Sequence, residues 1–278
     1  MHSTNPLSIS AAPTTGMIQK PYYDLPSTVT VMNRLLHESA VDGFEVQNLA
    51  EWDKENPPKD DVSGNRYTAW KKSPKYTVEE VAAFLEGLPI LSIHANRDVG
   101  IYLCSNREQD ITKGKRLIHE SLSLAEKVGA GVCVFHLWDT WKSQFNVGFL
   151  QEVLHTIAPQ YPVTASVENV PTHLEGVTPF DLVKEFEWVT LDLRWAAMYD
   201  ELDRFESVTK KITNIHLRGQ LQGDTWMLTG APFGFYEALD IIQPWEYSGP
   251  LTIEPEGGLH SSNWENLVAA LVSVRSEP

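Results

Sequence analysis

Cysteine is scarce in this chain. Cys104 and Cys133 are the only two in 278 residues, too few for a disulfide framework and without the paired spacing of a metal finger. Long apolar runs are missing as well, since no stretch approaches the ~20 residues that a membrane helix needs. Basic residues are few: 22 Lys and Arg stand against 37 Asp and Glu, for a formal net charge of −15. A field of that sign opposes polyanions, because nucleic-acid affinity comes largely from neutralised phosphates. Residues 1–16 are rich in Ser, Thr, Ala and Pro and lack both a basic n-region and an apolar h-region. Residues 1–15 are therefore expected to be a flexible polar arm rather than a signal peptide. These absences lead to a cytoplasmic protein with no membrane and no nucleic-acid partner.

What is present is rhythm. Short Val-, Ile- and Thr-rich runs at 16–20, 43–49, 90–96, 132–138, 163–170, 188–194, 212–218 and 250–255 read as strands. Their near-continuous apolarity suits parallel strands covered on both faces. Segments of helical spacing lie between them, at 28–39, 78–88, 110–128, 149–158, 180–186, 199–209, 235–242 and 264–274. Thr77 with Glu80 forms a capping-box pattern, Gly129 a helix stop, and Thr178-Pro179 a helix start. Eight strands, each followed by a helix, predict one (β/α)₈ TIM barrel over residues 16–278, an α/β fold. Residues 50–75, with Pro57-Pro58 and many charges, read as an insertion in the second βα connection.

Six of the runs end in a side chain that can bind metal: Ser-Ile-His94, Val-Phe-His136, Ser-Val-Glu168, Thr-Leu-Asp192, Asn-Ile-His216 and Thr-Ile-Glu254. In a barrel the C-terminal strand ends converge on one mouth, where catalytic groups sit. Three imidazoles and three carboxylates distant in sequence thus become a ring, with Glu45 of the second strand a candidate to join it. Taken singly, each has an ordinary explanation as a hydrogen-bonded histidine or a loop-capping carboxylate. Six at equivalent strand positions point to a site.

These strand-end runs, with Glu168-Asn169 and His216-Leu217, resemble the xylose-isomerase-like barrel superfamily of sugar isomerases, ketose 3-epimerases, inosose dehydratases and endonuclease IV-like apurinic endonucleases. The resemblance runs from about residue 43 onward. It implies one divalent cation held by Glu168, Asp192, His216 and Glu254, an oxygen-rich set suited to Mn²⁺, Mg²⁺ or Co²⁺, with Zn²⁺ the further candidate. A chelated carbonyl and adjacent hydroxyl make the neighbouring C–H more acidic. Glu168 and Glu254 would then remove and return that proton through an enediolate. His94 and His136 would contact substrate oxygens or orient the carboxylates. Two positions depart from the pattern. Trp195 stands where relatives often carry a His three residues after the sixth-strand Asp, a ketose-binding contact in the epimerases, and Trp226 stands where endonuclease relatives carry the His of Asp-x-His. The two losses together remove ligands that a three-metal cluster requires.

Trp138, Trp141, Trp195 and Trp226 fall near the mouth loops, either to stack on a sugar or to plug the barrel top. Arg97, Arg194 and Arg218 follow strands three, six and seven, to grip an anionic substrate or to neutralise the acidic ring. The expected substrate-binding set is His94, His136, Glu45, Arg194, Arg218 and Trp195. The leading function is a metal-dependent sugar or sugar-phosphate isomerase or epimerase, with dehydration of a keto-cyclitol as sister chemistry and a homo-oligomer compatible with it. The alternatives are an apurinic endonuclease and a ligand-binding barrel without catalysis.

Overall fold

A computed structural model describes residues 5–22, 24–48, 52, 54, 74–228 and 232–276. The strands are β1 (Leu7–Ser10), β2 (Gly43–Gln47), β3 (Ile90–His94), β4 (Val132–Phe135), β5 (Thr164–Glu168), β6 (Val189–Asp192), β7 (Ile212–Gln222), β8 (Thr225–Met227) and β9 (Leu251–Pro255). The helices used below are α1 (Leu25–His37), α2 (Val78–Phe84), α3 (Val99–Leu103), α4 (Glu108–Val128), α5 (Val147–Ile157), α6 (Pro179–Val183), α7 (Leu193–Met198), α8 (Phe235–Ile242) and α9 (Trp264–Ser276). Each of β1 to β6 pairs in parallel with the next, β6 pairs with β7, β7 with β9, and β9 with β1. Eight parallel strands therefore close into the expected barrel, and β8 is an antiparallel hairpin partner of β7 alone.

Local signals work as chemistry requires. Thr77 and Glu80 form a reciprocal capping box on α2, Thr178 and Asp181 one on α6, and Gly129 ends α4 with a φ of 73°.

The first strand differs from expectation. Residues 16–20 do not form it; Leu7–Ser10 does, within the segment read as an arm, and all four of its residues are buried. The Met17-Ile18 apolarity instead belongs to a 3₁₀ turn, Ala12–Ile18, that opens with Pro13 and stops at Gln19 in the left-handed region. A Cβ at Gly16 would lie 2.9 Å from the backbone nitrogens of Leu259 and His260, so glycine permits that close approach. The seventh strand runs four residues past Arg218, because the β8 hairpin continues its pairing. The segment expected as a helix at 199–209 is a 3₁₀ stretch, Leu202–Lys211. The insertion at 50–75 lies outside the described residues except for positions 52, 54, 74 and 75.

Alternation along each strand divides two environments. Glu45 on β2 meets Asn214 and His216 on β7, strands that are not neighbours in the sheet, so these side chains cross the lumen. Thr252 donates to Asn214 and Ser166 bonds Thr190 in that same polar interior. The intervening residues, including Ile9, Phe44, Ile93, Phe135, Val167, Leu191, Ile215 and Ile253, are fully buried and apolar, and build the core between strands and helices. Both cysteines are buried and free. Among the described residues no helix is long and apolar enough to cross a membrane.

Candidate metal centre at the barrel mouth

A cavity of about 400 Å³ opens at the C-terminal strand ends, lined by residues that include His94, His136, Arg97, Arg194, Arg218 and Glu254. A larger cavity, about 920 Å³, opens beside Thr164, Ala165 and Trp188 at the opposite strand ends and contains none of the ring. Chemistry and size thus part company, and the polar mouth is the site. Glu45, Glu168, Asp192 and His216 are fully buried, beneath or beside that cavity.

Glu168 is held from two sides. His136 Nε2 donates to its Oε2 at 2.8 Å, and His94 Nε2 reaches the same oxygen at 3.3 Å. The Nδ1–H of His94 donates to the Ala95 carbonyl at 3.0 Å, which fixes the ring. Burial alone would raise the Glu168 pKa, but His136 and His216 hold it well below the ordinary carboxylate range. Burial works against the charged form of His94 too, yet Glu168 raises its pKa. For His136 burial wins and the pKa is lowered.

Asp192 sits where a strand turns directly into a helix. As the residue before α7 it spends Oδ1 on the Trp195 amide at 3.0 Å, a helix cap. Asn169, after β5, brackets its backbone, accepting from the Asp192 amide at 2.6 Å and donating to its carbonyl at 3.1 Å. The second oxygen, Oδ2, is left facing the site, where it meets Arg218 Nη2 at 3.0 Å. Burial, with the charges of Glu168 and Glu254 added, pushes this carboxyl up to about 7 despite the nearby guanidinium.

His216 lies between carboxylates. Its Nε2 is 3.1 Å from Glu45 Oε2, while Nδ1 is 3.7 Å from Glu168 Oε2 and 3.6 Å from Glu254 Oε1. Burial would lower its pKa, but Glu45, Glu254 and Glu168 raise it well above the usual imidazole value. Arg218, two residues on and therefore on the same strand face, places Nη2 2.5 Å from Glu254 Oε2 and 3.8 Å from Glu168 Oε1. Arg194 pairs with Glu256, and the half-buried Trp195 ring lies 4.9 Å from the Arg218 guanidinium and 5.5 Å from that of Arg194.

Ligand atoms of Glu168, Asp192 and His216 lie within 4.8 Å of one another, as do those of Glu45, His216 and Glu254. Glu168 Oε1, Asp192 Oδ2 and His216 Nδ1 are buried with no hydrogen-bond partner among the described residues. Glu168 Oε1 and His216 Nδ1, together with Asp192 Oδ2, which has Arg218 Nη2 at 3.0 Å as an ion-pair neighbour, come from three strands into one volume, an arrangement that a hard divalent cation would satisfy, so the donor set fits a metal. All ten expected site residues lie at this centre or its mouth; His94, His136, Arg194, Arg218 and Glu254 line the cavity, while Glu45, Glu168, Asp192 and His216 are fully buried beneath it. Trp138 and Trp226 are buried, Trp226 stacked on Phe235, so neither is a platform at the mouth. Trp141 is 81% exposed against His173. Sequence reasoning missed the polar layer of Ser92, Asn214 and Thr252, although each stands two residues before a ring member and so faces the same way.

No protein-family model matches the chain, and no curated protein does. Solved structures do. A sugar phosphate isomerase/epimerase from Parabacteroides distasonis superposes with a TM-score of 0.64 at 13% identity, over 99% of this chain and 97% of that one. A D-allulose 3-epimerase from a Methylomonas species in complex with D-allulose gives 0.62 at 13%, over 99% and 97%. A xylose isomerase domain protein from Planctomyces limnophilus gives 0.55 at 15%, over 99% and 96%. At such identities the likeness is one of fold alone, the (β/α)₈ barrel.

Proposed function

We propose that this protein is a metal-dependent isomerase or epimerase of a small sugar or sugar phosphate, working by proton transfer at the carbon next to a carbonyl. The observation that carries the reading is that ligand atoms of Glu168, Asp192 and His216, from three strands, lie within 4.8 Å of one another, with Glu254 of a fourth strand 3.6 Å from His216. Those four residues would hold the ion, which supplies Lewis acidity to the substrate oxygens. Glu168 and Glu254 are the acid–base pair. Each has one oxygen occupied by the protein's own side chains, Oε2 of Glu168 by two histidines and Oε2 of Glu254 by Arg218, which leaves the other oxygen for the site. His136 and His94 orient Glu168 for the proton it takes up, and Arg218 holds Glu254 on the neighbouring strand. Arg194 and Arg218 line the mouth, with Trp195 packed against both guanidinium groups, and would bind the hydroxyls or the anionic end of the substrate. The neighbour solved with D-allulose is a 3-epimerase, which makes ketohexoses the first substrates to test.

The endonuclease alternative is weakened by Trp195, whose amide caps onto Asp192, and by Trp226, which packs beneath α8. The test is metal content together with turnover of a panel of ketoses, aldoses and their phosphates in Mn²⁺. One divalent ion per chain with interconversion of one substrate pair supports the reading. About three ions per chain with cleavage of abasic DNA, or no ion at all, overturns it.

A further inference from the structure

The polar layer beneath the mouth gives Glu45 a task distinct from substrate binding. It is 0% exposed, it lies off the cavity, and its Oε2 collects three donors: Ser92 Oγ at 2.8 Å, His216 Nε2 at 3.1 Å and Asn214 Nδ2 at 3.2 Å. The orientation of Asn214 is settled from behind, because Thr252 Oγ1 donates to its Oδ1 at 2.9 Å and so turns the amide nitrogen toward Glu45. Asn214 Nδ2 also lies 3.1 Å from His216 Nε2. With Nε2 protonated both groups are donors, and the carboxylate between them serves both.

We propose that Glu45 is a positioning residue for His216: it keeps the Nε2–H in place and so commits the Nδ1 lone pair to the metal. The proposal rests on the metal-dependent reading above. Nδ1 is the buried ring nitrogen with no hydrogen-bond partner among the described residues, and it faces Glu168 and Glu254. A ligating imidazole is generally oriented by a hydrogen bond from its other nitrogen, and a carboxylate in that place fixes the tautomer and strengthens the ligand. Here the orienting carboxylate comes from β2, across the lumen from β7, and is held by side chains of β3 and β7. A buried carboxylate persists only where it is compensated, and the three donors do this at Oε2, while Oε1 is buried with no hydrogen-bond partner among the described residues.

Two measurements on the full chain test the assignment. In protein labelled with ¹⁵N-histidine and loaded with ¹¹³Cd²⁺, His216 should show cadmium coupling at Nδ1 and a proton on Nε2. Coupling at Nε2 overturns the proposal, and this readout needs no variant. In the second, Mn²⁺ is titrated into wild type, E45Q and E45D. Glu45→Gln removes the charge and lets the amide flip, so Mn²⁺ affinity should fall by about 10–100-fold. Glu45→Asp keeps the charge and should recover part of the loss. Equal Mn²⁺ affinity in wild type and folded E45Q overturns the positioning role while leaving the metal reading standing. Failure of the wild type to take up either ion overturns the metal reading, and this inference with it.

Discussion

His136 Nε2 donates to Glu168 Oε2 over 2.8 Å, and that oxygen is the one His94 also approaches. The contact stabilises the ionised carboxylate and lowers its pKa, alongside His216. Replacing His136 by Ala removes the donor, so the Glu168 pKa rises and the acidic limb of the kcat/KM profile moves to higher pH. Turnover at neutral pH should fall by about 10–100-fold. An unmoved acidic limb would show that Glu168 is not the titrating base.

Arg218 is the protein's own cation at the centre, within 3.8 Å of Glu168, Asp192 and Glu254. Arg218→Gln leaves three buried carboxylates without it. Breaking a buried ion cluster from one side costs ~3–5 kcal/mol, so the metal-free variant should melt well below wild type. Saturating Mn²⁺ should raise its melting temperature by more than it raises that of wild type. Thermal unfolding with and without the ion decides this, and equal melting of the two metal-free proteins would contradict it.

The metal-free site also binds a proton. Although burial opposes it, the carboxylates raise the His216 pKa well above the unfolded value of ~6.5, so its imidazole is charged at neutral pH. The linked stabilisation is fully present below ~6.5 and is lost as pH rises through the folded value. A metal needs the Nδ1 lone pair, so binding must expel that proton, and affinity should climb up to tenfold per pH unit across neutrality. Calorimetry in buffers of different ionisation enthalpy should find at least one proton released per ion, from His216, with a further fraction from Asp192, whose carboxyl is pushed up to about 7. Zero release would mean that His216 is not a ligand.

Gly100 on α3 donates its amide to the His136 carbonyl, and a Cβ there would collide with the Trp138 backbone. Gly100→Ala should therefore push the loop after β4 outward and cost ~1–3 kcal/mol, the usual range for overpacking. His136 moves with that loop, so catalysis should fall more steeply than stability alone explains. Full activity in a folded G100A protein would count against His136 as the group that orients Glu168.

The barrel and the ring are legible because chemistry-bearing residues close apolar runs: His94, Glu168 and Asp192 are the last residues of their strands, Glu254 the last but one, and His216 follows the 212–215 run of β7. The first strand was not legible, since Leu-Ser-Ile-Ser is four residues long and half polar, whereas Gly16–Lys20 carries a stronger apolar signal that folds as a turn. Arg218 looked like a loop residue because the β8 hairpin, which prolongs β7, is a tertiary pairing with no local signature. The depth of Glu45 follows from barrel closure, which brings β2 opposite β7, and no residue near Glu45 in sequence announces its partner His216.

The central claim is that Glu168 and Glu254 move a carbon-bound proton next to a carbonyl. Glu→Gln at either position keeps a ligand oxygen and removes basicity, so turnover should fall by ~10²–10⁴-fold with much smaller loss of metal. The direct measurement follows ketoses and ketose phosphates in D₂O with Mn²⁺-loaded protein, using NMR and mass spectrometry. One deuterium should enter the carbon beside the carbonyl in wild type, and exchange should nearly vanish in E168Q and E254Q. Bound metal without exchange in any substrate, or exchange that persists undiminished in both Gln variants, would contradict the account.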